Sequence, residues 1–199
     1  MAKTKAYEEW EAKCVKLILL KEGIYDLKEG LIIKCPISIH GAGQDKTIIQ
    51  GYGFMIQGPK KEKKRVDMQG MTIKGSSDYG VYGDNGLSFL CKDMTFTQCG
   101  GTGVFASNTK GRLINCVVTQ CRKSGIYCRK NALIEVEGDQ TKVDGNVTCG
   151  IIWYGLHAYD TSSIIHLLFP LTKESVSTNN HGGRNYRADR GTIRTLDSF

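Results

Sequence analysis

"MTFTQCGGTGVFAS", residues 94–107, reads like "MTIKGSSDYGVYGD" at 71–84 and "CVVTQCRKSGIYCR" at 116–129. Met71-Thr72-Ile73, Met94-Thr95-Phe96 and Cys116-Val117-Val118 recur at steps of 23 and then 22 residues. Gly80-Val81-Tyr82, Gly103-Val104-Phe105 and Gly125-Ile126-Tyr127 recur at the same two steps, and Cys99 and Cys121 are again 22 apart. A period of that length is the mark of a solenoid, in which each repeat buries its apolar face only against its neighbours.

Outward from these repeats the pattern persists. Short apolar runs such as Leu31-Ile32-Ile33, Ile37-Ser38-Ile39, Thr47-Ile48-Ile49 and Phe54-Met55-Ile56 are separated by Gly, Asn, Asp and Ser. It continues through Leu133–Val136, Gly155–Ala158, Ile164–Leu167 and Thr192–Arg194. Short strands closed by turn residues indicate an all-β chain. About three such strands fit a repeat of this length, so each repeat is one coil and successive coils pair strand on strand in parallel. The expected fold is a right-handed parallel β-helix of about eight coils, from dividing the length by the repeat. A leucine-rich repeat needs regular Leu and Asn spacing, and a left-handed hexapeptide helix needs a six-residue apolar period; neither occurs.

The 199 residues are read as one domain, 1–199. Within it, residues 4–14 carry Ala6, Tyr7, Trp10 and Cys14 at helical spacing and are expected to form a short amphipathic helix capping one end. Residues 15–170 form the coils, and 171–199 form an Asn-, Gly- and Arg-rich segment that wraps the other end before a last strand at Thr192–Leu196. Open ends would permit end-to-end stacking into oligomers.

Strand alternation gives each coil an inward and an outward set. Val81, Val104 and Ile126, with Gly83, Ala106 and Cys128, are expected to face the core. Tyr82, Phe105 and Tyr127, joined by Met55 and His157, form an outward ladder at a coil spacing of roughly 4.8 Å. Such rings pack against sugars or bases, or simply stack on one another beneath a loop. Beside them lie Lys110, Arg112, Arg122, Lys123, Arg129 and Lys130, with further basic residues in "KKEKKR" (60–65) and at Arg184, Arg187, Arg190 and Arg194. The formal charge is +7, which favours acidic partners. Tyr82, Phe105, Tyr127, Arg112, Arg122, Arg129 and Lys130 are therefore the candidate ligand-binding residues. The expected partner is an acidic polysaccharide or a protein. No nucleic-acid motif is present, and the longest apolar run, Val15 to Leu20, contains Lys16 and is too short to span a bilayer.

Eight cysteines without a C-x₂-C pair argue against a zinc site. With no signal-peptide pattern at the N-terminus, they are read as reduced, buried thiols in an intracellular protein. "HGAGQDKT" (40–47) lacks the second glycine of a phosphate loop and leads into a strand, so it reads as a turn. Asn146-Val147-Thr148 is a glycosylation sequon, meaningful only in a secreted chain.

The segments "PISIHGAGQDKTII" (36–49), "GRLINCVVTQCRKSGIYC" (111–128), "YGLHAYDTSSIIHL" (154–167) and "LTKESVSTNNHGGRNY" (171–186) resemble the pectate-lyase-like, single-stranded right-handed β-helix superfamily. They resemble still more closely a group of uncharacterised β-helix proteins of unicellular algae. The resemblance implies the fold; members of the superfamily include lyases, epimerases, hydrolases, adhesins and scaffolds. A lyase of this kind implies Ca²⁺ held by clustered acids, but Asp78, Asp84, Asp93, Asp139, Asp144 and Asp160 fall at unlike phases of the coil. No paired carboxylates suggest a glycosidase. "YGLHAYD" (154–160) is similar to the Tyr-Gly-x-Asp-Pro-His pattern of alginate epimerases, with His157 in place of the Asp and no following His. His157 as base with Tyr154, Tyr159 and Asp160 make up the catalytic candidates. The alternative, which we prefer, has His157 as an ordinary surface residue between inward Leu156 and Ala158. No cofactor or metal is expected, Ca²⁺ entering only with a lyase. The expectation is a non-catalytic β-helix that presents an aromatic and basic face to a partner. A polysaccharide lyase or epimerase with an atypical site, and a structural subunit docked in a larger assembly, are the alternatives.

Overall fold

In the computed structural model, residues 16–59 and 64–197 are described. The 4–14 helix expected from the sequence lies outside them. Among the described residues the chain is a parallel β-helix: every ladder between strands is parallel. One sheet stacks seven strands, from Leu31–Ile33 through Val81–Gly86, Val104–Ser107 and Ile126–Arg129 to Tyr186–Ala188. A second sheet covers the other two faces of the coil. The register is the one implied by the repeats: Met71 pairs Met94, Val81 pairs Val104, and Val104 pairs Ile126.

Three faces need three corners, and each is turned by residues in the left-handed region. Gly70, Asp93, Asn115 and Gly138 turn the first, with φ of 65°, 49°, 51° and 90°. Gln98, Gln120, Gly145 and Asn179 turn the second, and Asn85, Asn108 and Lys130 the third. Asn, Asp and Gly adopt this conformation at least cost. The side chains of the corners also stack: Asn108 Nδ2 donates to Asn85 Oδ1 (3.0 Å) and Gln98 Nε2 to Gln120 Oε1 (3.2 Å).

The interior follows the alternation. Val81, Val104, Ile126 and Leu156 are fully buried, as are Ala106, Cys128 and Ala158. Inside the second corner Cys99 and Cys121 give way to Asn146 and Asn180, which satisfy the backbone of neighbouring coils. Asn146 Oδ1 accepts from Cys121 N–H, and Asn180 Oδ1 accepts from Asn146 N–H, each at 3.0 Å. Cys91, Cys99, Cys116, Cys121 and Cys128 are buried free thiols. Burial raises Cys91 well above its ordinary pKa and Cys116 to about 12, so both remain protonated.

Coil length is not constant. Val81 pairs with Val104, 23 positions on, and Val104 with Ile126, 22 on; but Ile126 pairs with Leu156 and Leu156 with Tyr186, 30 on in each case. The extra residues lie at 145–155 and 169–185. The C-terminal segment does not wrap the end before a single strand. It contains a short capped helix, Lys173–Val176, and completes the solenoid with Ser177–Thr178, Tyr186–Ala188 and Thr192–Leu196, one strand on each face.

Candidate functional site

The outward ladder is present in register. Met55 pairs Tyr82, Tyr82 pairs Phe105, Phe105 pairs Tyr127 and Tyr127 pairs His157. The next rung adds Arg187 opposite His157. The rings stack, Tyr82 on Phe105 at 4.6 Å and Phe105 on Tyr127 at 4.9 Å between centroids.

This ladder is largely covered, and the expectation of an open aromatic strip is corrected accordingly. Phe105 is only 3% exposed and Tyr127 8%. Tyr79 closes over Tyr82 and Phe105 with centroids at 5.1 and 5.3 Å, and the Arg129 guanidinium lies 5.0 Å from the Phe105 ring. Phe105 is therefore buried and Tyr82 half-buried, and neither lines the cleft that opens further along the ladder.

The ladder opens where the coil lengthens. The 145–155 segment leaves the second corner tied by the Val147 and Cys149 N–H groups to the Lys123 and Arg122 carbonyls (3.0 and 2.9 Å). It returns through Tyr154, whose N–H donates to Ser124 Oγ. Between these anchors Ile151, Ile152 and Trp153 line a cleft together with Tyr127, Arg129, Arg187 and Asp189. This cleft of about 460 Å³ has His157 in its floor and Tyr154 and Tyr159 on its sides. Trp153 stands edge-on to Tyr127 at 5.8 Å, with Lys123 Nζ 5.4 Å from its ring.

Among the described residues Asp189 is the only carboxylate lining the cleft, and both of its oxygens are engaged. Oδ2 lies 3.0 Å from His157 Nε2, and Oδ1 accepts from Arg187 Nε. Burial opposes ionisation of Asp189, yet the hydrogen bonds from His157 and Arg187 outweigh it and hold the group below the usual carboxylate range. Arg187 Nη1 also donates to the Tyr154 hydroxyl at 2.7 Å. His157 is not the surface residue expected: it is 3% exposed, ringed by Tyr127, Tyr154 and Tyr159. Burial lowers its pKa below the ordinary 6.5 despite the raising pull of Asp189. Its Nδ1 is enclosed and has no hydrogen-bond partner. Burial also pushes the Tyr127 phenol up to about 12.

The remaining sequence candidates divide. Arg129 lines the cleft; Lys130 turns the adjacent corner with an exposed side chain. Arg122 lies exposed beside the segment's anchor, its Nη2 3.7 Å from Cys149 Sγ. Arg112 is on a different face, ion-paired with Glu137 at 2.5 Å. Asp160 is outside the lining and holds a turn: it accepts from the Lys130 and Ser162 N–H groups and from Ser163 Oγ. Among the described residues no group of three or more His, Cys, Asp or Glu is placed to hold a metal ion, and no helix is long and apolar enough to cross a membrane.

Trp153 and Asp189 were not identified from sequence, and Arg187 was named there only among the further basic residues. Their signal was the weak echo of Gly155-Leu156-His157-Ala158 in Asn185-Tyr186-Arg187-Ala188, hidden by the change of step from 22 to 30 residues. Residues 27–165 match the family model described as the right handed beta helix region. No curated protein and no solved structure matches the chain.

Proposed function

Because the chain belongs to the right-handed β-helix family, and a fold does not fix a function, we propose from the cleft itself that the protein is a non-catalytic binding module for an acidic glycan. The observation that carries this reading is the joining of Trp153, Tyr127 and Tyr159 with Arg129 and Arg187 in one concave site. Aromatic faces pack against sugar rings, and planar guanidinium groups take up carboxylates and sulfates with paired hydrogen bonds. The volume suits one or two sugar units. The resemblance to pectate-lyase-like β-helices favours a carbohydrate, and the buried free thiols favour a reducing compartment.

Catalysis is the weaker reading because acid–base work needs a group that exchanges a proton readily with substrate, and His157 Nδ1, the ring nitrogen without a partner, is enclosed behind tyrosine rings. The one lining carboxylate is already shared between His157 and Arg187. A protein partner is favoured only by Ile151 and Ile152, 74% and 63% exposed on the rim.

A screen of the purified protein against neutral, carboxylated and sulfated polysaccharides, at low and physiological salt, tests the proposal. Selective, salt-sensitive retention of acidic polymers is expected. Equal retention of neutral polymers, or none of any class, overturns it.

A further inference from the structure

We propose that His157 determines which anions the cleft accepts, by offering Nδ1 as a hydrogen-bond acceptor to a ligand hydroxyl that neighbours the ligand's acid group. The inference rests on the binding reading above and narrows it to hydroxylated acids.

The Arg187 guanidinium bonds Asp189 Oδ1 and holds that carboxylate ionised, so Oδ2 can only accept. The facing ring nitrogen, His157 Nε2 at 3.0 Å, must then be the one that carries the proton. Burial keeps the ring neutral, which leaves the lone pair on Nδ1. That atom is enclosed without a partner, an unfavourable state that invites a donor. The side chains around it, from Tyr127, Tyr154 and Tyr159, are the walls of the cleft. Access requires one of these rings to turn aside; Tyr159 is 46% exposed, and exposed side chains turn on a nanosecond scale.

A ligand that meets this arrangement brings an anionic group to Arg187 and Arg129 and a hydroxyl to Nδ1. A sugar acid has both. An acidic peptide side chain has the first without the second. Protonation of His157 would turn Nδ1 into a donor and remove the preference. The charged and titratable groups facing the ring are Asp189 and Arg187 from the following rung, Tyr127 from the preceding one, and Tyr154 and Tyr159 at its flanks.

The test compares binding of oligogalacturonate and of its O-methylated counterpart, which keeps the carboxylates and lacks the hydroxyl donors. Wild type should prefer the free oligomer by about five- to tenfold at pH 7.5, the worth of one neutral hydrogen bond. The preference should shrink as pH falls below 6.5 and histidine protonates. His157→Phe should bind both probes alike. If that variant does not fold, Asp189→Asn serves in its place: its amide can donate to Nε2, move the ring proton to Nδ1 and cancel the preference. Equal binding of both probes by wild type overturns this inference alone, as does a preference that survives either variant. Binding of neither probe overturns the cleft reading with it.

Discussion

Phe89 fills room that two glycines leave open. A Cβ added at Gly111 would lie 2.4 Å from Phe89 Cζ, and one at Gly83 would lie 2.6 Å from Phe89 Cε1. A large buried ring flanked by positions without side chains fits the cross-section of the coil. Gly111→Ala should therefore destabilise the fold by about 1–3 kcal/mol, the usual cost of overpacking, read by urea denaturation. Phe89→Leu in that background should recover part of the loss. The second prediction at this scale concerns pH. In the unfolded chain His157 protonates near its ordinary 6.5, while in the fold burial keeps it neutral to lower pH. Its contribution to stability is thus full above 6.5, declines as pH falls below that value, and levels off once the folded histidine is protonated. His166, lowered by burial and by Arg194, acts in the same direction. The melting temperature should drop between pH 7.5 and 5.5, and His157→Phe should make that drop smaller. An unchanged slope would contradict the assignment of a depressed pKa to this ring.

At the scale of the element, the unit is a corner and the strand it releases. Asn108 holds φ at 51° and donates to Asn85, so Asn108→Ala loses both a residue suited to the left-handed region and a rung of the side-chain ladder. A cost of about 1–2 kcal/mol is expected, in line with the penalty for a Cβ in that conformation. Asn108→Gly should cost less, since glycine adopts the angle freely; equal losses for the two substitutions would mean that the corner's backbone angle contributes nothing. The regular elements were legible in the sequence because Val81, Val104 and Ile126 must present like side chains to like neighbours, and that need writes a period into the chain. The outward register of Tyr82, Phe105 and Tyr127 was legible for the same reason. Their exposure was not. Cover comes from Tyr79 and Arg129 and from the lengthened 145–155 segment, none of which the repeat constrains. Asp189 escaped notice, and Arg187 read only as one of several basic residues, because the coil that carries them is 30 residues beyond its neighbour. Insertions break a period at the place where they build a site, so the features that make the cleft are those that hide it from a periodic reading.

For the whole molecule, a solenoid passes stability only between adjacent coils, so a local insertion can shape a cleft without disturbing the coils beyond. The first described coil shows the other consequence: Leu17, Leu19 and Ile24 are 48%, 70% and 65% exposed at the edge of the stack. The net charge of +7 acts over the entire surface and should draw acidic polymers at low salt whatever the cleft does. Binding by the cleft must therefore be separated from attraction by the field. Calorimetric titration of an acidic oligosaccharide at physiological salt does so, comparing wild type with Trp153→Ala, Arg187→Gln and Arg112→Gln. The account predicts at least tenfold weaker binding for the first two, which line the cleft, and no change for Arg112→Gln, whose charge lies on another face. Equal weakening by both arginine substitutions, with Trp153→Ala unaffected, would contradict it and leave only a diffuse basic surface.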